Sequence, residues 1–133
     1  PSVTSNVTAD IVLKTVPEMM KYDLKQFTVE AGKKVRILFV NPDNMPHNMV
    51  ICQTGTMEIV GKLADAMAID PKGIEKGFLP NSPQVLFATK MVPDHSQAIL
   101  DFVAPSKPGN YPVICTLPGH WRLMNCIMKV KAP

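Results

Sequence analysis

Cys115, His120 and Met124 fall within one ten-residue run, Cys-Thr-Leu-Pro-Gly-His-Trp-Arg-Leu-Met, and a second histidine, His47, stands far upstream in Asn-Met-Pro-His-Asn. A thiolate, two imidazoles and a thioether form a donor set suited to copper in one-electron chemistry. Cu(I) favours soft sulfur and Cu(II) favours nitrogen, so a mixed set holds both states moderately and neither gains much by rearranging. Pro118 and Gly119 supply a tight turn that returns His120 to the side of Cys115. Proline stiffens the loop, and glycine takes backbone angles closed to other residues. Asn48, beside His47, is placed to bond the Cys115–Thr116 segment and tie the two ligand segments together. The backbone N–H of Leu117 is a candidate donor to the sulfur, a contact that tunes a metal site from outside its ligand shell.

Three of these donors share a loop, so a frame must deliver the fourth. Thirteen prolines among 133 residues argue against long helices. Residues 7–13 alternate, with Val7, Ala9, Ile11 and Leu13 on one face. Met20, Tyr22 and Leu24 alternate next, followed by Phe27 and Val29. Residues 31–34 read as a turn. Residues 35–40 are apolar on both faces except at Arg36, the pattern of a central strand, and residues 41–44 break it. Strands are expected again over 48–52, 85–88, 99–103, 111–115 and 125–130, with turn-forming residues between them. The exception is 57–68, where Val60, Leu63, Ala64 and Met67 recur at helical spacing and predict a short helix that Gly61 weakens. Residues 70–83 read as loop. Many short strands with regular turns predict an all-β sandwich or barrel, and the length predicts a single domain over residues 1–133.

Composition narrows the function. Apolar residues are 46% and charged residues 19%, which is globular rather than disordered. No apolar run is long enough to span a bilayer. The net charge of +3 comes from scattered basic residues, so no concentrated basic face is available for nucleic acid. The odd cysteine count, three, forbids a fully paired framework. With Cys115 assigned to a metal, Cys52 and Cys126 either pair or lie as buried thiols on the core faces of their strands, and alternation favours the second. His95 has no partner at ligand spacing and reads as a surface loop residue. The start at Pro1 fits a processed protein or a domain of a longer chain, and a monomer is the default.

The Cys-x4-His-x3-Met spacing, the upstream His47–Asn48 pair, Tyr111 four residues before Cys115, and the helical insert ending near Met67 together resemble an azurin-type cupredoxin, a type 1 blue copper protein. The similarity runs over residues 7–131. The resemblance implies a Greek-key β-sandwich of about eight strands with one copper ion at one end, held by His47, Cys115, His120 and Met124. It further implies a periplasmic or otherwise exported carrier of single electrons, with His120 as its electron port. Redox donors and acceptors would dock briefly on an apolar ring of Met45, Met67, Leu117, Pro118 and Trp121. There are departures. Val7 and Lys33 stand where the family's N-terminal disulfide would be, and Pro46 precedes the first ligand, which bears on a weak axial contact from its carbonyl. Trp121 is bulky, and Asn125–Cys126 follows the axial methionine.

Two other function classes compete. A copper carrier or sensor domain without redox turnover would use the same ligands. An enzyme is disfavoured: a Cys–His hydrolase needs an accessible thiolate and an orienting third group, and a second copper site would need more histidines than His95 alone.

Overall fold

Short β-branched and aromatic runs separated by proline and glycine turns give, among the residues described by the computed structural model (7–133), eight strands and one α-helix. In chain order these are β1 (Ile11–Lys14), β2 (Gln26–Glu30), β3 (Lys34–Asn41), β4 (Val50–Cys52), α1 (Met57–Ala66), β5 (Val85–Ala88), β6 (Ser96–Val103), β7 (Gly109–Ile114) and β8 (Asn125–Lys131), with a 3-10 turn, Met67–Ile69, continuing α1. One sheet has the order β1-β3-β6, the other β2-β8-β7-β4-β5. β1 runs parallel to β3 and β2 parallel to β8, while β3–β6, β4–β5, β4–β7 and β7–β8 are antiparallel. This is the expected β-sandwich with one short helical insert.

The core lies between the sheets. Leu13, Ile37, Phe39 and Phe102 face Phe27, Ile51, Val113, Met128 and Val130 across it. β3 is central in its sheet and ends in a run of five buried residues, Ile37 to Asn41, of which the first four are apolar. A smaller cluster lies on the other face of the larger sheet, where α1 covers Val50, Cys52 and Ile114 with Val60, and Trp121 joins them. Strand alternation makes this division: Ile51 and Val113 point one way, Val50 and Ile114 the other.

Three expectations change, and the favoured reading of Cys52 and Cys126 holds. The first strand starts at Ile11, not Val7; just before it the Asp10 N–H donates to the Arg36 carbonyl while the Asp10 carboxylate, not its carbonyl, accepts from the Arg36 N–H. Residues 20–24 are no strand. Glu18 and Met20 take φ of 63° and 49°, and only Tyr22 makes an isolated bridge, to Thr15. Cys52 lies in the cluster beneath α1 and Cys126 in the main core, so both are free thiols on opposite faces of the sheet. Burial pushes each up to about 12, which makes them inert. On α1 the buried stripe is Val60, Gly61 and Ala64, whereas Leu63 is exposed. Gly61 is buried because it leaves room for the Trp121 indole: a Cβ there would meet Trp121 Cδ2 at 2.2 Å.

Candidate metal centre

β3 ends in a buried polar hub that places His47. The Asn41 amide donates to the carbonyls of Met45, Val92 and Pro93. Its oxygen accepts from the Thr15 hydroxyl and the Asp43 N–H. Residues 42–46 are therefore folded against a fixed anchor. His47 then pairs with Val92 through both backbone bonds, at 3.1 and 2.8 Å, and its side chain is fully buried. His95, the remaining histidine, bonds Asn44 at an exposed position and takes no part in the cluster.

The second segment is the loop after β7. Cys115 N–H donates to the Met124 carbonyl, and the N–H groups of Leu123 and Met124 donate to the His120 carbonyl. The loop closes on itself between two strands that the sheet already pairs. Gly119 sits at its tip with φ of 87°, a conformation that strains any other residue. Met124 is fully buried in the main core.

These two segments bring one sulfur and two ring nitrogens together. Cys115 Sγ lies 3.7 Å from His47 Nδ1 and 3.8 Å from His120 Nδ1. All three donor atoms lie within 4.8 Å of one another, and all three residues are buried. A metal centred in a trigonal N2S set, about 2.0 Å from nitrogen and about 2.3 Å from sulfur, separates sulfur from nitrogen by about 3.7 Å. The spacing therefore fits a bound ion rather than a set of hydrogen bonds, and the soft-plus-nitrogen set fits copper.

The electrostatics favour the same use. Burial pushes the Cys115 thiol up to about 11, although the backbone N–H groups of Asn48 and Leu117 point at its sulfur and pull the other way. A metal must therefore displace a proton to bind the thiolate. Burial, together with the nearby His47 ring, lowers His120 below its ordinary value against an opposing pull from Asp43. The His120 ring is therefore neutral at pH 7 and offers a nitrogen lone pair.

Asn48 joins the two ligand segments. Its oxygen accepts from Thr116 N–H and its amide donates to Thr116 Oγ1, each at 2.8 Å and fully buried. Leaving either partner unpaired costs about 1–3 kcal/mol. Tyr22 braces the same place from outside, its hydroxyl donating to the Asn48 carbonyl at 2.7 Å.

Two carboxylates escaped sequence reading. Asp43 meets His47 from behind, and its only sequence signal is a carboxylate four residues before the histidine. Asp65, on α1, has none. It accepts from Gly119 N–H at 3.2 Å, from Trp121 Nε1–H at 3.1 Å and from Arg122 at 3.0 Å. Arg122 in turn lies 4.5 Å over the Trp121 ring. The helical insert thus clamps the ligand loop. Burial alone would raise the Asp65 carboxyl, but Trp121, Gly119 and Arg122 together hold it below its ordinary value. Asp65→Ala is expected to cost about 1–2 kcal/mol in chemical denaturation near neutral pH. A depressed folded pKa gives stability that is present above the unfolded value of about 3.9 and is lost as pH falls through the folded one. The gap between wild type and variant should therefore narrow in acid denaturation as pH falls below the unfolded carboxylate value of about 3.9.

The expected apolar ring is also redrawn. Trp121 and Met67 are only 5% and 9% exposed, because the indole is tucked between Gly61 and Asp65 and Met67 closes the end of α1. Met45 is exposed, and Leu117 and Pro118 are half-buried. Beside the ligand segments lies instead a groove of about 340 Å³ lined by Pro46, Leu117, Ile74, Phe78, Met91 and Pro93.

Known proteins place this arrangement. Auracyanin-A of Chloroflexus aurantiacus is 30% identical over 112 residues, covering 80% of this chain and 65% of that protein. The chain thus spans about two thirds of that relative's length. Azurin of Pseudomonas aeruginosa is 28% identical over 123 residues, covering 86% of this chain and 80% of the other. The crystal structure of dithionite-reduced auracyanin from Roseiflexus castenholzii superposes with a TM-score of 0.79 at 31% identity, over 91% of this chain and 95% of that one. A profile of copper-binding proteins, the plastocyanin/azurin family, matches residues 9–131. With the fold, the buried N2S cluster and this match over nearly the whole described chain, the protein belongs to the plastocyanin/azurin family of copper-binding proteins.

Proposed function

We propose that this chain is a type 1 copper electron carrier, in which His47, Cys115 and His120 hold one copper ion and Met124 is its weak axial ligand. The observation that carries this reading is the buried triad, with its donor atoms within 4.8 Å of one another on two cross-braced segments. When bound, copper supplies a one-electron couple between Cu(II) and Cu(I). The protein's part is to hold its ligands still. Asn48–Thr116, the Asn41 hub and the Asp65 clamp all oppose movement of the ligand segments, and small movement means a small reorganisation cost. The carbonyl of Pro46, which directly precedes His47, is the candidate for a second weak axial contact.

His120 serves as the electron port. It is the more accessible imidazole, 7% exposed against 0% for His47. A reduced donor protein gives one electron and an oxidised acceptor takes it, each docking over the rim formed by Met45, Leu117, Pro118 and the Pro46–Leu117 groove. Small apolar contacts of that kind suit brief encounters. The resemblance to azurin-type cupredoxins supports a periplasmic or otherwise exported location. No helix among the described residues is long and apolar enough to cross a membrane.

Self-exchange separates a carrier of electrons from a carrier of copper. In mixtures of Cu(I)- and Cu(II)-loaded protein, NMR line broadening is expected to give a second-order rate of at least about 10⁵ M⁻¹s⁻¹, the lower end of ordinary protein association. Exchange too slow to broaden any line would leave a copper-binding protein without redox turnover.

A further inference from the structure

The contact behind His47 serves neither the sandwich core nor the partner surface. His47 Nε2 lies 2.7 Å from Asp43 Oδ2, and the two side chains are 0% and 4% exposed. The other carboxylate oxygen, Oδ1, accepts from the backbone N–H of Asn44 at 2.7 Å and of Glu18 at 3.1 Å. Both of its partners can only donate, so Oδ1 carries no proton; with Nδ1 turned to Cys115 as the ligand atom, the ring hydrogen belongs on Nε2 and Oδ2 accepts it, which leaves the carboxylate ionised. In that tautomer the lone pair is on Nδ1, the atom that faces Cys115 Sγ. Asp43 cannot drift from this place, because its N–H is tied to the Asn41 hub and its Oδ1 to two segments of backbone.

We propose that Asp43 is a positioning residue for the copper centre, which orients His47 through Nε2–H and sets a buried negative charge behind that ligand, favouring Cu(II) over Cu(I). This rests on the reading of His47, Cys115 and His120 as the copper ligands. A carboxylate hydrogen-bonded to the far nitrogen makes an imidazole a stronger base. A fixed anion away from water interacts more strongly with the metal state of higher charge. The reduction potential is therefore lower than a neutral hydrogen-bond partner would leave it.

Asparagine is isosteric but cannot repeat the pattern. If its oxygen takes the two backbone N–H groups, its amide faces the ring nitrogen and donates where a donor already stands. If it turns over, the backbone donors are left facing an NH₂. The test is the midpoint potential of copper-loaded wild type and Asp43→Asn, with Cu(II) and Cu(I) affinities measured by competition with chelators. The variant is expected to keep the visible thiolate-to-copper band while its Cu(II) affinity falls about tenfold more than its Cu(I) affinity. That ratio is a potential raised by about 59 mV. A relative affinity changed by less than twofold overturns the proposal. Should Asp43→Asn fail to fold, NMR of Cu(I)-loaded wild type decides: the His47 Nε2–H proton is expected well downfield of that of His120, and equal shifts overturn the proposal. A wild-type protein without the visible band would overturn the copper reading and this inference with it. A wild-type band beside an unchanged Asp43→Asn potential overturns the inference alone.

Discussion

Cys115→Ser is expected to abolish the intense visible absorption of the Cu(II)-loaded protein completely. The band requires an electron-rich thiolate bound to Cu(II). A serine hydroxyl does not ionise in this pocket, where burial already pushes the more acidic thiol up to about 11. Two imidazoles would remain to hold Cu(II), but no soft anion would be left for Cu(I), so the reduced form should lose metal first. The fold itself should survive. The Asn48 and Leu117 N–H groups that point at the sulfur can donate to a hydroxyl oxygen, so the buried polar atom is satisfied. Circular dichroism of the metal-free variant should match wild type. Cys52→Ser and Cys126→Ser should keep the band, since neither thiol is in the cluster. An intense visible band in Cys115→Ser would sink the assignment of the site.

Gly61→Val is expected to destabilise the protein by about 3 kcal/mol, although valine forms helix better than glycine. A single Cβ would stand 2.2 to 2.6 Å from three atoms of the Trp121 ring. That ring cannot step aside cheaply. It is 5% exposed, packed with Val50, Cys52, Val60 and Ile114, and pinned through Nε1 to Asp65. A loss of that size lowers the melting temperature by about 10 °C for a domain of this length. The site should respond as well, because Trp121 follows His120 directly and its displacement pulls on the ligand loop. A shift of the visible band in the variant is the expected reading. Combining Gly61→Val with Trp121→Leu should recover more than about 1 kcal/mol relative to the sum of the two single changes. Additivity would show that the two residues do not press on each other.

Gly61 also shows where sequence reasoning stopped. Read along the chain, a glycine inside a helical stretch is only a weak point in a helix. The apolar spacing suggested that Leu63 faced inward, whereas the packed stripe runs through Val60, Gly61 and Ala64. The missing side chain is the complement of an indole 60 residues away, and periodicity carries no information about such a partner. Trp121 was misplaced for the same reason. A large apolar residue beside a loop histidine reads as rim surface until a helix with a glycine is laid against it. Asp65 is one more polar residue on a short helix until the loop tip arrives at its carboxylate.

What the chain declares by itself is whatever covalent neighbours can express. The thiol, imidazole and thioether occur at fixed intervals on one loop, with Pro118 and Gly119 between them, and that spacing names the chemistry without any fold. Strand alternation likewise names the two-layer architecture, because a pleated strand shows its two faces at every second residue. Tertiary structure alone decided how His47 reaches Cys115, which carboxylate fixes its ring, and which helix holds the loop closed. Asn41, Asp43, Asn48 and Asp65 act across gaps of 25 to 68 residues as well as locally. Such contacts exist only after both partners are buried together, and their strength comes from the exclusion of water that the finished sandwich provides.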